Sequence, residues 1–433
     1  ITETMKLFKT TEAFLVLSYI VFANNNKTCY ARLGDSSNNP ITEDQSIITN
    51  RRVQDSNTDP INATFKLQMM FAYWCSSSGI CDLRMFTEVG NRLLLVDSGS
   101  STLSLCNNHP DPQYMITAPA PVISADGSNV SQCRKYGSGG HGWYGETYAG
   151  AFKNFGGVDN QTIDGIYYSL MNQQIGLNGN QCGEPIDGSV GLQSSIGGIM
   201  GLGHTDTYFS KNDMDAASSS WTDVNADTCA SEECNCPTSP LVSRTDSSFQ
   251  QIIAAYGINQ IAFTWNGVLG KNTGQLLTDQ DASENIPDNT PKIAIKDNGI
   301  GTHTIDVAAI NVNGVDMQTG EQEYVFDSGS PQISLPTDVF NNVVEQGQAS
   351  IDFIVNTIDG GSSTISITVT KELIDAKVIR EGTGQNFFGL NLLRYVDNLL
   401  VNFEDRENPY TMHIPREEHI IDLPVNLPVG DLA

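Results

Sequence analysis

The chain has 433 residues and a mass of 47.0 kDa, about twice the length of a common single domain, so two lobes are expected. Lys+Arg number 23 against 50 Asp+Glu, and the net charge of −27 repels phosphate backbones and anionic lipid, which argues against nucleic-acid binding and polybasic membrane docking. A 39% hydrophobic share, with 39 Gly and 17 Pro spread along the chain, is enough for a sizeable core and argues against disorder or a coiled coil.

Residues 1–61 read as an N-terminal extension or pro-segment. Lys6 and Lys9 precede an apolar run from Ala13 to Ala23 that is too short to span a bilayer. A secretory signal core, a pro-segment and a strand of the mature protein all suit this run, and an ordered strand is the expectation. Residues 1–52 carry six basic and five acidic side chains and end in Arg51-Arg52, a processing-type pair. Such a leader on an acidic body suits electrostatic docking, as it suits an ordinary extension.

The nine cysteines all fall at or before Cys236, and clustering in one part of the chain suggests local disulfides and an oxidising compartment. The odd count leaves at least one thiol free or paired between chains. Asn-x-Ser/Thr acceptor sites start at Asn26, Asn62, Asn129 and Asn160, which together with the cysteines points to the secretory route, secreted or lysosomal/vacuolar.

From residue 62 the pattern is mostly β. Phe65–Trp74, Arg92–Val96 and Thr364–Thr370 read as strands. Residues 204–246 form a polar, Asp/Ser/Thr-rich stretch without strand alternation, read as a surface insertion partly stapled by Cys229, Cys234 or Cys236. Ser248–Tyr256 reads as a helix with a capping Ser and a Gly257 stop. The six histidines lack ligand spacing and read as surface or turn residues. No metal, cofactor loop or membrane span is expected, and the oligomeric state is open.

One internal match carries chemistry. Leu93-Leu-Leu-Val-Asp97-Ser98-Gly99-Ser100-Ser-Thr-Leu-Ser-Leu105 lines up with Glu323-Tyr-Val-Phe-Asp327-Ser328-Gly329-Ser330-Pro-Gln-Ile-Ser-Leu335, half a chain later. Each copy is an apolar strand, an Asp-Ser-Gly-Ser turn and a second apolar strand. A lone Asp-Ser-Gly is a common turn; two copies with matching flanks imply duplicated lobes whose acids meet across a pseudo-twofold axis. Two carboxylates a hydrogen bond apart do not both ionise cheaply, so one serves as base while the other serves as acid. Water held between them is then activated towards a carbonyl.

Here the sequence resembles the pepsin-like aspartic proteases over roughly residues 62–415. The ordered matches include Tyr136-Gly137-Ser138-Gly139, similar to the flap hairpin, and Gly198–Gly203, similar to the element beneath the first catalytic loop. They continue with Ser248–Trp265, Thr304–Gly314, and Phe387–Tyr395 followed by Leu399–Phe403. The resemblance implies a mainly β, bilobal fold with pseudo-twofold related lobes and an interlobe cleft. It divides the chain into an N-terminal lobe (62–265), a C-terminal lobe (266–415) and a tail (416–433). It further implies an aspartic endopeptidase that binds an extended polypeptide. Asp97 and Asp327 would be catalytic, with Ser98, Gly99, Ser328 and Gly329 supporting the loops. Ser100 and Ser330 would hold the outer carboxylate oxygens, and Tyr136–Gly139 would cover the substrate. The extra cysteines resemble those of the subgroup that includes the nepenthesins and plasmepsin V; by that resemblance Cys106–Cys133 and Cys75–Cys81 are candidate bridges, with the connectivity open. Ser104 stands where many members have the Trp that bonds the flap Tyr, the flap segment Gly139–Trp143 is Gly-rich, and Leu390 replaces a usual Asp. These departures leave open a weak or inactive binding protein on the same fold.

Overall fold

The computed structural model describes residues 65–412, except 76–80, 107–108, 125–126, 137–140, 172, 176–181, 183–195, 204, 219–235, 239, 285–289, 298–302, 383, 397 and 403–409. The N-terminal strand expected at 13–23, the Arg51-Arg52 pair, Asn26, Asn62 and the 416–433 tail lie outside the described residues.

Among the described residues the β-strands form two sheets, one of 17 strands and one of 9. The expected strands form as Leu67–Cys75, Arg92–Asp97 and Ser362–Thr370. The expected helix is Ser248–Tyr256: the Ser247 hydroxyl accepts the Gln250 N–H, and Gly257 ends the helix at φ 64°.

The same arrangement occurs twice. Arg92–Asp97 lies between antiparallel Cys81–Val89 and parallel Ile196–Gly201, with Asp97 in register with Gly201. Gln322–Asp327 lies between antiparallel His303–Val312 and parallel Asn386–Gly389, with Asp327 in register with Gly389. In each copy the strand after the acidic turn, Leu103–Cys106 or Ile333–Leu335, runs antiparallel to that parallel neighbour. Both acid-bearing strands are covered on two faces, which explains their unbroken apolar runs. Tyr324 stacks on Phe388 at 4.4 Å, and Phe353 packs edge-on against both rings.

Strands from both parts of the chain share one sheet. Gln260–Trp265 pairs with Gly270–Thr278 and with Asn398–Asn402, while Gly270–Thr278 also pairs with Leu67–Cys75. The hairpin from Gln260 to Thr278 therefore straddles residue 265, where the sequence was divided into lobes.

Several expectations need correction. The stretch 204–246 opens and closes as paired strands, Thr205–Ser210 and Val242–Asp246, and Lys211–Ser218 is a helix. The alternation is masked in the sequence because an inward position holds Asp206, a buried charge. In the flap segment, Trp143 is fully buried among Met70, Ala72, Phe86 and Ile199, so the returning strand already begins at His141. His303 is buried on a strand, and half-buried His109 bonds Tyr168 through Nδ1 at 2.8 Å; neither is a plain surface histidine.

The disulfide expected between Cys106 and Cys133 does not form. Cys106 pairs with Cys182 and Cys133 with Cys236. Cys106 faces Met171 across a parallel pair of strands, and the chain reaches Cys182 soon after that strand. Cys133 lies on Val130–Tyr136, beside Thr205–Ser210, and shares a small apolar cluster with Phe209, Met214 and Cys236. Cys75 and Cys81 are register partners; their side chains lie outside those described. The Cys133–Cys236 bridge spans 103 residues of chain. Replacing both cysteines with Ala is expected to cost roughly 2–5 kcal/mol, read as a lower urea midpoint under oxidising conditions; an unchanged midpoint would rule out that contribution.

Candidate active site

The two acidic turns meet at the junction of the duplicated halves. The Asp97 and Asp327 carboxyls face each other: a Cβ built on Gly329 would meet Asp97 Oδ1 and lie 3.1 Å from Asp327 Oδ1. Asp97 is buried, with Gly99 N–H donating to its Oδ1 at 2.8 Å; Ser330 N–H donates to Asp327 Oδ1 at 3.1 Å.

Ser98 and Ser328 lock the turns together by a reciprocal exchange. Ser98 N–H donates to Ser328 Oγ at 3.0 Å, and Ser328 N–H donates to Ser98 Oγ at 2.9 Å. Each hydroxyl then crosses to the partner strand: Ser98 Oγ donates to Phe326 O at 3.0 Å and Ser328 Oγ to Val96 O at 2.9 Å. Every group in this lattice is buried, so each bond forms in a low-dielectric setting.

Gly99 and Gly329 are needed for the close approach. A Cβ on Gly99 would sit 2.5 Å from Asp327 Oδ1, and one on Gly329 would sit 2.5 Å from Asp97 Cγ. Any side chain at either position would push the acids apart.

Burial is the main force raising the Asp327 carboxyl well above the usual carboxylate range, followed by the charge and hydrogen bond of Asp97. The Ser330 N–H and the Arg84 guanidinium oppose the rise. The pair therefore retains one proton where isolated carboxylates are ionised. That arrangement can accept a proton at one oxygen and donate one at another in the same pH range.

The sequence-predicted residues divide as follows. Asp97, Ser98, Gly99, Asp327, Ser328, Gly329 and Ser330 come together. Ser100 is also buried in its loop, yet its hydroxyl has no hydrogen-bond partner, and Ser330 reaches Asp327 through its backbone N–H. Tyr136 ends its strand opposite His141, but its side chain, and all of Gly137, Ser138 and Gly139, lie outside the described residues. Asn160 is exposed in a turn at φ 63°, whereas the Asn129 side chain bonds Glu146.

Two features were missed. Arg84 reaches the Gly329 carbonyl from the strand Cys81–Val89 and forms an ion pair with Asp82 at 3.5 Å. Alternation in Cys81-Asp82-Leu83-Arg84 would have placed both charges on one face. Behind the first loop, Arg134 pairs with buried Asp206 and donates to Ser101 Oγ at 3.0 Å. Gln132 Nε2 donates to the same carboxylate at 2.5 Å. Among the described residues no such ion pair backs the Asp327 turn, so the repeat carries no signal for this one.

No protein-family model matches the chain, and no curated protein sequence matches it. Among solved structures it resembles an aspartic proteinase from Irpex lacteus, with TM-score 0.50 and 14% identity over 83% of this chain and 99% of that one. At that identity the likeness is one of fold: mainly β, bilobal and pepsin-like. Among the described residues no helix is long and apolar enough to cross a membrane.

The reciprocal serine lattice makes a specific prediction. Ser328→Ala would orphan the buried Ser98 N–H and Val96 carbonyl, at about 1–3 kcal/mol each. Ser98→Ala should cost a similar amount because it orphans the equivalent groups of the other loop. Chemical denaturation of both variants checks this; losses below about 0.5 kcal/mol would contradict a strained-free, fully used lattice.

Proposed function

We propose that the chain is an aspartic endopeptidase in which Asp97 and Asp327 activate water for attack on a peptide bond. The observation that carries this reading is the close approach of the Asp97 and Asp327 carboxyls, held by two symmetric, mutually bonded loops. The fold likeness to an aspartic proteinase supports it.

Water bound between the acids gives a proton to the ionised carboxylate as its oxygen attacks the amide carbon. The protonated carboxyl, assigned to Asp327, gives its proton to the carbonyl oxygen, leaving a neutral tetrahedral diol. One carboxyl then gives its proton to the amide nitrogen while the other carboxylate takes a proton from a diol hydroxyl, so the C–N bond breaks to give an amine and a carboxylic acid. The dyad ends with one proton, as it began, and no covalent enzyme intermediate is required. The substrate is an extended polypeptide, since a main chain laid between the lobes brings its carbonyls past the dyad. The disulfides Cys106–Cys182 and Cys133–Cys236 suit an oxidising, secretory or vacuolar setting. An acidic compartment also relieves the self-repulsion of a chain at −27.

Asp97→Asn and Asp327→Asn should each lower cleavage of an unfolded protein substrate by at least about 10³-fold, within the range for loss of a general acid or base. Retained cleavage in either folded variant would overturn the mechanism.

A second expectation follows from the raised Asp327 carboxyl. An unfolded Asp titrates near about 3.9, so above that pH the folded dyad binds a proton that the unfolded chain has released. The dyad's contribution to stability is therefore present at low pH and lost as pH rises through the elevated value. Melting temperatures measured from about pH 4 to pH 7 should fall for the wild type relative to Asp327→Asn; parallel curves would contradict the shared proton.

A further inference from the structure

We propose that Arg84, assisted by Arg380, recognises a carboxylate on the substrate, so that the enzyme prefers peptides with Asp or Glu beside the scissile bond. This inference rests on the proteolytic reading and adds a substrate class to it.

Arg84 is one of only 23 basic residues in a chain of net charge −27, yet it lies against the dyad. Its guanidinium donates to the Gly329 carbonyl in the second acidic turn and lies over the Trp74 ring, 5.1 Å from the centroid. The register pairs Ala72 with Arg84 and Trp74 with Asp82, which sets Trp74, Asp82 and Arg84 on one face of the two strands. The Arg84 side chain is only 13% exposed and Asp82 20%, so both are largely withdrawn from bulk water while remaining reachable.

The donors here are not all used. Arg84 Nε and Trp74 Nε1 are both buried without a hydrogen-bond partner. A buried cationic N–H left unpaired is costly, which marks this spot as lacking an acceptor. An arginine fork takes two oxygens of one carboxylate in its plane, a geometry that a single carbonyl does not match.

An unused cationic N–H favours a carboxylate over a neutral acceptor. Arg380 is exposed on Ile379–Glu381, in register with Ser334 on the strand that leaves the second acidic turn. The charges of Arg84 and Arg380 both act on Asp327 and Asp82. A substrate Glu or Asp brings two charged oxygens to the Arg84 Nε and Trp74 Nε1 donors, whereas Gln or a backbone carbonyl brings only a neutral acceptor.

The test uses matched internally quenched peptides that differ by Glu, Gln or Leu at one residue next to the cleaved bond, assayed at about pH 5, where Glu is largely ionised. The wild type should cleave the Glu peptide with a kcat/KM at least about 10-fold above the Gln peptide, in keeping with a charge-assisted hydrogen bond. Arg84→Met should bring that ratio near one. Arg380→Gln, an exposed change that leaves the core intact, should lower it by a smaller factor. A merely structural role for Arg84 would lower both peptides together and leave the ratio unchanged, which overturns the proposal. If Arg84→Met does not fold, Arg84→Lys and Arg380→Gln are read instead, and an unchanged ratio in both overturns it equally. Wild-type cleavage with a Glu-to-Gln ratio of one rejects carboxylate recognition while keeping the protease; no cleavage of any peptide by folded wild type rejects both.

Discussion

The reciprocal bonds between Ser98 and Ser328 are the constraint on which the rest depends. Two carboxyls in low dielectric repel whenever both ionise, and loops free to move would separate them. Here each serine accepts from the other's backbone N–H and donates beyond it, to Phe326 or Val96. The bonds run between the acid-bearing strands themselves, so the acids cannot drift apart without breaking buried hydrogen bonds. Glycines flanking the acids then allow an approach that a Cβ would block.

The arrangement stores an electrostatic cost at one point of a well-packed molecule. Burial and like charge favour the protonated form of Asp327, while Ser330 N–H and Arg84 temper that preference. The surrounding structure holds the strain through ordinary means: each acid strand is flanked by an antiparallel partner and a parallel one, and aromatic stacking such as Tyr324 on Phe388 fills the second half. Stability and chemistry are thus opposed locally, as is common where pKa values are displaced for function.

Much of this was legible in the sequence because it is repeated. The matching runs ending at Asp97 and Asp327 encode strand, turn and strand in both halves, and the apolar character of Leu93–Val96 and Tyr324–Phe326 reflects burial on two faces. What failed to read was non-repeated or non-local. Cysteine pairing depends on which strands become neighbours: Cys133 finds Cys236 through Thr205–Ser210, a strand whose inward Asp206 disguised it as loop. Asp206 is tolerated because Arg134 and Gln132 satisfy it, and those partners lie some seventy residues earlier in the chain. Arg84 was invisible for a similar reason, since its partner Gly329 lies in the other half of the molecule.

The shared proton is the claim most open to direct observation. Neutron diffraction from crystals grown at about pH 5 would locate it, above the ordinary carboxylate range. The account predicts one deuteron on the Asp97–Asp327 pair, with facing oxygens within about 3 Å. Two bare carboxylates, or oxygens held beyond hydrogen-bonding distance, would contradict it.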